Sequence, residues 1–156
     1  MLKINLIVMG DIKEDYLKQA ITEYSKRISR FAKLNMIELK ENVAKSNNNQ
    51  DILNALAKDA EEIIPHIKGY PICLDITGKM MTSVEFANKI EKLSISNSEI
   101  SFIIGASNGL CESIKSICKE RISFSSMTFP HQLMRVIFLE QLYRSFTILN
   151  NISYHK

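Results

Sequence analysis

Three short apolar runs, separated by stretches of helical character, fill residues 71 to 150, and that alternation restricts the fold more than any other feature. The runs are Pro71–Ile76, Ile100–Ile104 and Ile122–Ser125; the stretches after them are Thr82–Leu93, Cys111–Lys119 and a long one from Pro130 to about Asn150. Apolar runs this short suit strands covered on both sides, so the pattern predicts an α/β chain: a parallel sheet with helices on both faces. Thr82 and Glu85 stand at capping-box spacing, and Pro130 both opens a helix and holds Phe129 extended. The first half reads the same way. Leu2–Met9 is a strand stopped at Gly10-Asp11, Glu14–Phe31 a helix and Leu34–Leu39 a strand; Lys40–Gln50 is a polar loop, and a helix runs from Asp51 to near Pro65. With no repeat and no linker, the 156 residues form one domain, 1–156.

Ligands of such sheets sit off the carboxyl ends of the strands. Here those ends are Leu74 to Gly78, Ile104 to Gly109 and Phe124 to Phe129, three loops that should meet at one edge. Gly105-Ala106-Ser107-Asn108-Gly109 has neither dinucleotide-binding nor Walker spacing, which disfavours an NAD or ATP enzyme. Small glycine turns among apolar residues do allow close backbone approach to a flat, uncharged adenine, which suits S-adenosylmethionine. An ordinary strand-to-helix turn is the plain alternative.

The last helix has no Gly or Pro, and its apolar residues do not form one stripe. Leu133, Val136, Ile137, Leu142 and Phe146 face one side, while Met134, Phe138 and Ile148 widen the band, so cover on more than one face is expected. Arg135, Glu140, Gln141 and Arg144 interrupt it and either line a site or pair, Glu140 with Arg144 four residues on being the simplest pair.

The net charge of +3 names no partner by itself. Between Lys13 and Lys33, however, six basic residues face three acids, and Lys26, Arg30 and Lys33 read as one helix face opposite Leu17, Ile21, Tyr24 and Ile28. That is a candidate phosphate-facing stripe, with a solvated helix face as the alternative. Cys73, Cys111 and Cys118 lack metal-site spacing and read as reduced core residues, so no metal is expected. No apolar stretch is long enough to span a membrane and the first residues are unlike a signal peptide, so a cytoplasmic protein without a membrane partner is expected.

Ser123 to Arg135 (SFSSMTFPHQLMR), Glu140-Gln141-Leu142-Tyr143-Arg144, the closing Tyr154-His155-Lys156, and Phe102-Ile103-Ile104-Gly105 before Ser107-Asn108-Gly109-Leu110 together resemble one family. It is the ribosomal RNA large subunit methyltransferase H family, SPOUT-class enzymes that methylate N3 of a pseudouridine in 23S rRNA. The resemblance implies a SPOUT fold with a C-terminal trefoil knot, a homodimer, and 23S rRNA in the assembled ribosome as substrate. It places S-adenosylmethionine at Leu74, Gly105, Phe124, Ser125, Ser126, Met127, Thr128 and Phe129. The family commonly has a second glycine where this chain has Ala106, and a positive φ there would strain alanine by roughly 1 kcal/mol. A uracil-like N3 is a poor nucleophile until its proton leaves. His155, Tyr154, and Arg135 or Arg144 acting on developing negative charge are the candidate catalytic groups. Tyr143, Tyr154 and Arg144 are candidates for stacking on a flipped base, and His131 is as readily structural as catalytic. A non-enzymatic RNA-binding α/β module is the competing reading, an α/β enzyme of small metabolites a further one.

Overall fold

A computed structural model describes residues 1–156. Five strands, β1 (Lys3–Met9), β2 (Lys33–Leu39), β3 (Tyr70–Met80), β4 (Glu99–Ile104) and β5 (Glu120–Ser123), pair in parallel in the order β2-β1-β4-β3-β5. The helices are α1 (Asp15–Ile28), α2 (Asn49–Ile63), α3 (Ser83–Ser96), α4 (Glu112–Ile117) and α5 (His131–Leu149). Alternation along each strand divides the core. Ile4, Leu6 and Val8 of β1, with Ile100, Phe102 and Ile104 of β4, face Ile28, Phe86, Ile90, Phe138 and Leu142 from α1, α3 and α5. Ile7, Met9, Cys73 and Ile103 point the other way, onto Ala60 and Ile63 of α2 and Ile114 of α4. Sheet and helices thus form three layers, as the alternation of runs predicts.

Several boundaries differ from the expected ones, each for a tertiary reason. α1 stops at Ile28 rather than Phe31, because Phe31 N–H turns back to Ile28 O (2.8 Å) and Lys33 N–H is captured by Leu2 O (2.9 Å) to start β2. β3 runs on through Gly78 to Met80, but its register jumps: Ile122 pairs with both Leu74 and Lys79, so Asp75–Gly78 bulges from the ladder. β5 lies two residues earlier than expected, its entry fixed by Lys119 N–H on Pro71 O at 2.9 Å. α2 begins at Asn49 with the Asn48 side chain accepting from Asp51 N–H, and its buried face is Ala55, Asp59, Ala60 and Ile63. Leu53 and Ile64, which a helical period would place on the same side as Ala60 and Ile63, are exposed. Asp59 is buried because its Oδ1 accepts two bonds from Asn42, which holds the polar loop after β2. The capping box of α3 is present, Thr82 N–H to Glu85 Oε2 at 2.7 Å and Glu85 N–H to Thr82 Oγ at 3.1 Å.

Two features position the site. Phe86, Phe102, Phe124 and Phe138 pack with ring centroids 4.8 to 6.4 Å apart, and such pairs contribute about 0.5–1.5 kcal/mol each beyond burial. They fix Phe124, the first residue past β5. At its far end α5 closes in a Schellman turn: Asn151 takes φ +54°, its N–H reaches Ile148 O (3.3 Å), and Ile152 N–H reaches Thr147 O at 2.9 Å. The turn reverses the chain, so Tyr154 and His155 lie back against α5.

Candidate active site

The bulge of β3 and the carboxyl ends of β4 and β5 meet at one edge, and they and the loops after β4 and β5 wall a cavity of about 760 Å³, within the range of small-molecule sites. Leu74 to Thr77, Ile104 to Leu110 and Ile122 to Pro130 contribute, Ser126 excepted, and Lys115 of α4 with His131 and Met134 from the first turn of α5 complete the lining. Seven of the eight residues assigned to the cofactor by resemblance therefore line this cavity: Leu74, Gly105, Phe124, Ser125, Met127, Thr128 and Phe129. Ser126 does not. The serines shape the turn, since Ser123 Oγ donates to Ser125 O (2.9 Å) and Ser125 Oγ accepts from Met127 N–H (3.0 Å). Met127 is left 73% exposed at the rim.

The Gly105–Gly109 loop owes its shape to two glycines for different reasons. A Cβ on Gly105 would lie 2.3 Å from Gly109 O, so the loop closes only because that position is bare, and Gly109 N–H then bonds Ala106 O at 2.9 Å. Gly109 itself has φ +80° with open space around it. Ala106 has no positive φ; it is buried against Met9, Ile103 and Leu110 and carries none of the strain considered for it.

Asp75 and Lys115 are the residues that sequence reasoning passed over. Both line the cavity, with Asp75 Oδ2 3.4 Å from Lys115 Nζ and the Asp75 side chain only 6% exposed. Burial pushes the Asp75 carboxyl up, but hydrogen bonds from Thr77 and the charge of Lys115 outweigh it and hold the group below the usual aspartate range. It is ionised at neutral pH. Its Oδ2 makes no hydrogen bond but is ion-paired to Lys115, so the pair gives the cavity a charged wall. The motif signal for this pair was absent, because the residues lie forty positions apart and meet only through the β3 bulge and α4.

The four candidate catalytic residues separate into two groups. Arg135 is 1% exposed and anchors α5 to the end of β1, its guanidinium donating to Gly10 O (3.0 Å), Met9 O (3.4 Å) and Glu38 Oε2 at 3.2 Å. Burial lowers its pKa, and Glu38 partly restores it. It lies outside the cavity lining, and its contacts are those of a structural ion-pair residue. Arg144, Tyr154 and His155 cluster instead around one carboxylate. Glu140 Oε1 accepts from Arg144 Nε (3.0 Å), Arg144 Nη2 (2.5 Å) and Tyr154 Oη (3.0 Å), the intrahelical pair that i,i+4 spacing anticipates. The Arg144 guanidinium lies 4.8 Å from the Tyr154 ring centroid, and that ring meets Tyr143 edge-on. Arg144 Nη1 is 3.2 Å from His155 Nδ1, and a guanidinium has only donors, so Nδ1 accepts. Burial, with the hydrogen bond to Glu140 next, pushes the Tyr154 phenol up to about 12. Arg144 is raised by the same carboxylate. Arg144 lies ten residues, or roughly 15 Å of helix, beyond Met134, the last residue of α5 in the cavity.

Lys26, Arg30 and Lys33 are exposed but share no helix face. Arg30 lies past the end of α1, and Lys33, side by side with Lys3 in the sheet, points to the face opposite α1.

Residues 2–155 match the family described as predicted SPOUT methyltransferase. A putative ribosomal RNA large subunit methyltransferase H of Methanococcus maripaludis is 52% identical over 159 aligned positions, covering 99% of this chain and all of the relative. The ribosomal RNA large subunit methyltransferase H of Caldicellulosiruptor saccharolyticus is 46% identical, with 98% and 99% covered. The chain belongs to the ribosomal RNA large subunit methyltransferase H family. That of Finegoldia magna, 47% identical, likewise aligns along its full length. Among solved structures, a probable methylase family protein from Haemophilus influenzae superposes with a TM-score of 0.56 at 14% identity, covering 98% of this chain and 70% of that one, which shows a shared fold. No helix is long and apolar enough to cross a membrane.

Proposed function

We propose that the chain methylates N3 of a pseudouridine in 23S rRNA of the assembled ribosome, as a cytoplasmic homodimer that uses S-adenosylmethionine. The cavity at the carboxyl edge of β3, β4 and β5, with the Asp75–Lys115 pair in its wall, carries the reading. Its residues fit the cofactor: Ile76, Ile104 and Leu110 offer apolar surface to an adenine, and the Gly105–Gly109 backbone can approach it closely. Asp75 is an acceptor for ribose hydroxyls or an ammonium. Bound there, S-adenosylmethionine supplies an electrophilic methyl group on a sulfonium.

The chain's own residues then have to hold the base in line, stabilise the negative charge that grows as N3 loses its proton, and exclude water. Arg144 keeps its positive charge and suits the second task. Tyr154, with its phenol held up, stays protonated at neutral pH, which makes it a donor and a stacking surface rather than a base. Both are remote from the cavity of their own chain, so the reading requires a second subunit to bring them there. α5 supports this: Leu133 is 38% exposed and Val136 and Ile137 are half-buried, an apolar strip starting beside the cavity. Antiparallel packing of two such helices would set the Arg144 cluster of one over the cavity of the other. Lys26 and Arg30 are retained as candidate RNA contacts. We also infer a trefoil knot. Its support is that β4 and β5 flank β3 while α5 returns to pack on α1 and α3; a chain nicked between Asn97 and Glu99 should lose a slow threading phase in refolding.

Mass mapping of 23S rRNA from cells with and without the chain tests the reaction; an unchanged methylation pattern would contradict it. Calorimetry separates the alternative, because an RNA-binding module without enzymatic activity has no saturable site for S-adenosylmethionine.

A further inference from the structure

At the opposite, amino-terminal edge of the sheet lies a recess of about 350 Å³ that the proposed reaction does not use. It opens on the α2/α4 face of the sheet, since Lys3 and Asn5 alternate with Ile4 and share the side of Ile7. Parallel register sets Lys3 of β1 between Lys33 of β2 and Glu99 of β4, and Lys68 closes the rim from the turn after α2.

The floor is built and fixed. Asn5 is 3% exposed; its Nδ2 donates to Glu99 Oε1 (2.9 Å) and its Oδ1 accepts from Asn35 Nδ2 at 3.0 Å. Ser101, fully buried, donates to Lys68 O (2.6 Å) and accepts from Lys68 N–H (3.0 Å), pinning the backbone that carries the third lysine. Above this network the charges do not balance. Lys3, Lys33 and Lys68 make no ion pair in the fold, whose six salt bridges all lie elsewhere. Glu99 is the one acid of the lining, and one of its oxygens is committed to Asn5. Three lysines against one carboxylate leave the lining with a net positive charge, which suits an anion. Ile37 is the one hydrophobic residue of the lining and His66 its one ring, too little apolar surface to sandwich a base, so its chemistry suits phosphate better than a nucleoside.

We propose that this recess is a non-catalytic phosphate site for the substrate RNA, gripping backbone and reading no base. It rests on the rRNA reading above. β4 connects the two sites, running from Glu99 at the recess to Ile104 at the cavity, six residues or roughly 17 Å, a span that folded RNA bridges readily.

The test compares the wild-type chain with the triple variant Lys3→Gln, Lys33→Gln, Lys68→Gln, and with Lys68→Gln alone as a milder change. All three lysines are exposed, so equal thermal midpoints are expected. On ribosomes or 23S rRNA, the triple variant should bind about tenfold more weakly near physiological salt. Its plot of log affinity against log salt should flatten by roughly 2 to 3, while kcat at saturating RNA and affinity for S-adenosylmethionine hold. An unchanged affinity and salt slope in the variant, with a wild-type chain that binds and methylates, overturns the recess and leaves the reaction standing. A wild-type chain that neither binds nor methylates rRNA overturns both. Titration with inorganic phosphate, followed by the side-chain amide NMR signals of Asn5 and Asn35, separates the remaining source: saturation by phosphate with no loss of RNA affinity in the variant assigns the recess to a free anion and overturns the RNA proposal.

Discussion

Replacing Gly105 with alanine tests the architecture of the cavity more sharply than any change to a charged residue. The added Cβ would stand 2.3 Å from Gly109 O and 2.5 Å from Gly109 C, both backbone atoms that cannot rotate away, whereas ordinary contact begins near 3.4 Å. The loop must therefore open by about 1 Å. Opening breaks the Gly109 N–H to Ala106 O bond, a loss of about 1 kcal/mol, and overpacking adds about 1–3, so the variant should be less stable by about 2–4 kcal/mol. For a chain of this length that corresponds to a fall in Tm of roughly 5–15 °C. The same 1 Å displaces one of the three cavity walls, and affinity for S-adenosylmethionine should drop about tenfold or more, equivalent to about 1.4 kcal/mol. Gly109→Ala is the control. It meets no atom within 4 Å but sits at φ +80°, so it should cost only about 1–2 kcal/mol from backbone conformation. Urea unfolding by circular dichroism and calorimetric titration with the cofactor read both effects. If Gly105→Ala unfolds at the wild-type urea concentration and binds the cofactor equally well, the loop does not close as described.

Arg135→Met should lower stability by about 1–3 kcal/mol, because Met9 and Gly10 lose a charged donor while half-exposed Glu38 rehydrates, and should leave cofactor affinity within a factor of about two; loss of turnover in a fully folded variant would restore a chemical role. The folded-state pKa of Tyr154 exceeds the unfolded one, so stabilisation from its docking is present in full below pH ~10 and disappears as pH rises through about 12; ultraviolet titration should show one late phenol that Tyr154→Phe removes. Deleting Tyr154 to Lys156 should abolish ribosome methylation with cofactor affinity little changed. Heterodimers of that deletion with a subunit whose cavity is blocked should regain partial activity if the tail serves the partner, and none if tail and cavity act within one chain.

How much of this was readable beforehand depends on the range of the forces involved. Strand and helix order, the α3 capping box and the convergence of three loops follow from local periodicity and turn chemistry, and all are present. The helix faces were less readable. Leu53 and Ile64 satisfy a 3.6-residue pattern as well as Ala55 and Ile63 do, and only the position of the sheet decides between them. Lys33 fell on the wrong face because α1 ends at Ile28, and a single residue in β2 then inverts direction from one position to the next. The surroundings of Arg135 and Asp75 were out of reach for a related reason: the partners that define them, Gly10 and Glu38 for one and Lys115 for the other, are distant in sequence.

The reversal at Asn151 has a practical side. Because α5 ends on a left-handed residue, the last five residues are aimed by the helix stop and not by any sequence code of their own. Anything fused after Lys156 would be carried back along α5 together with Tyr154 and His155, against the surface that a second subunit would occupy. Met1, 81% exposed and outside every strand and helix, is the end at which a purification tag or fluorophore leaves that surface free.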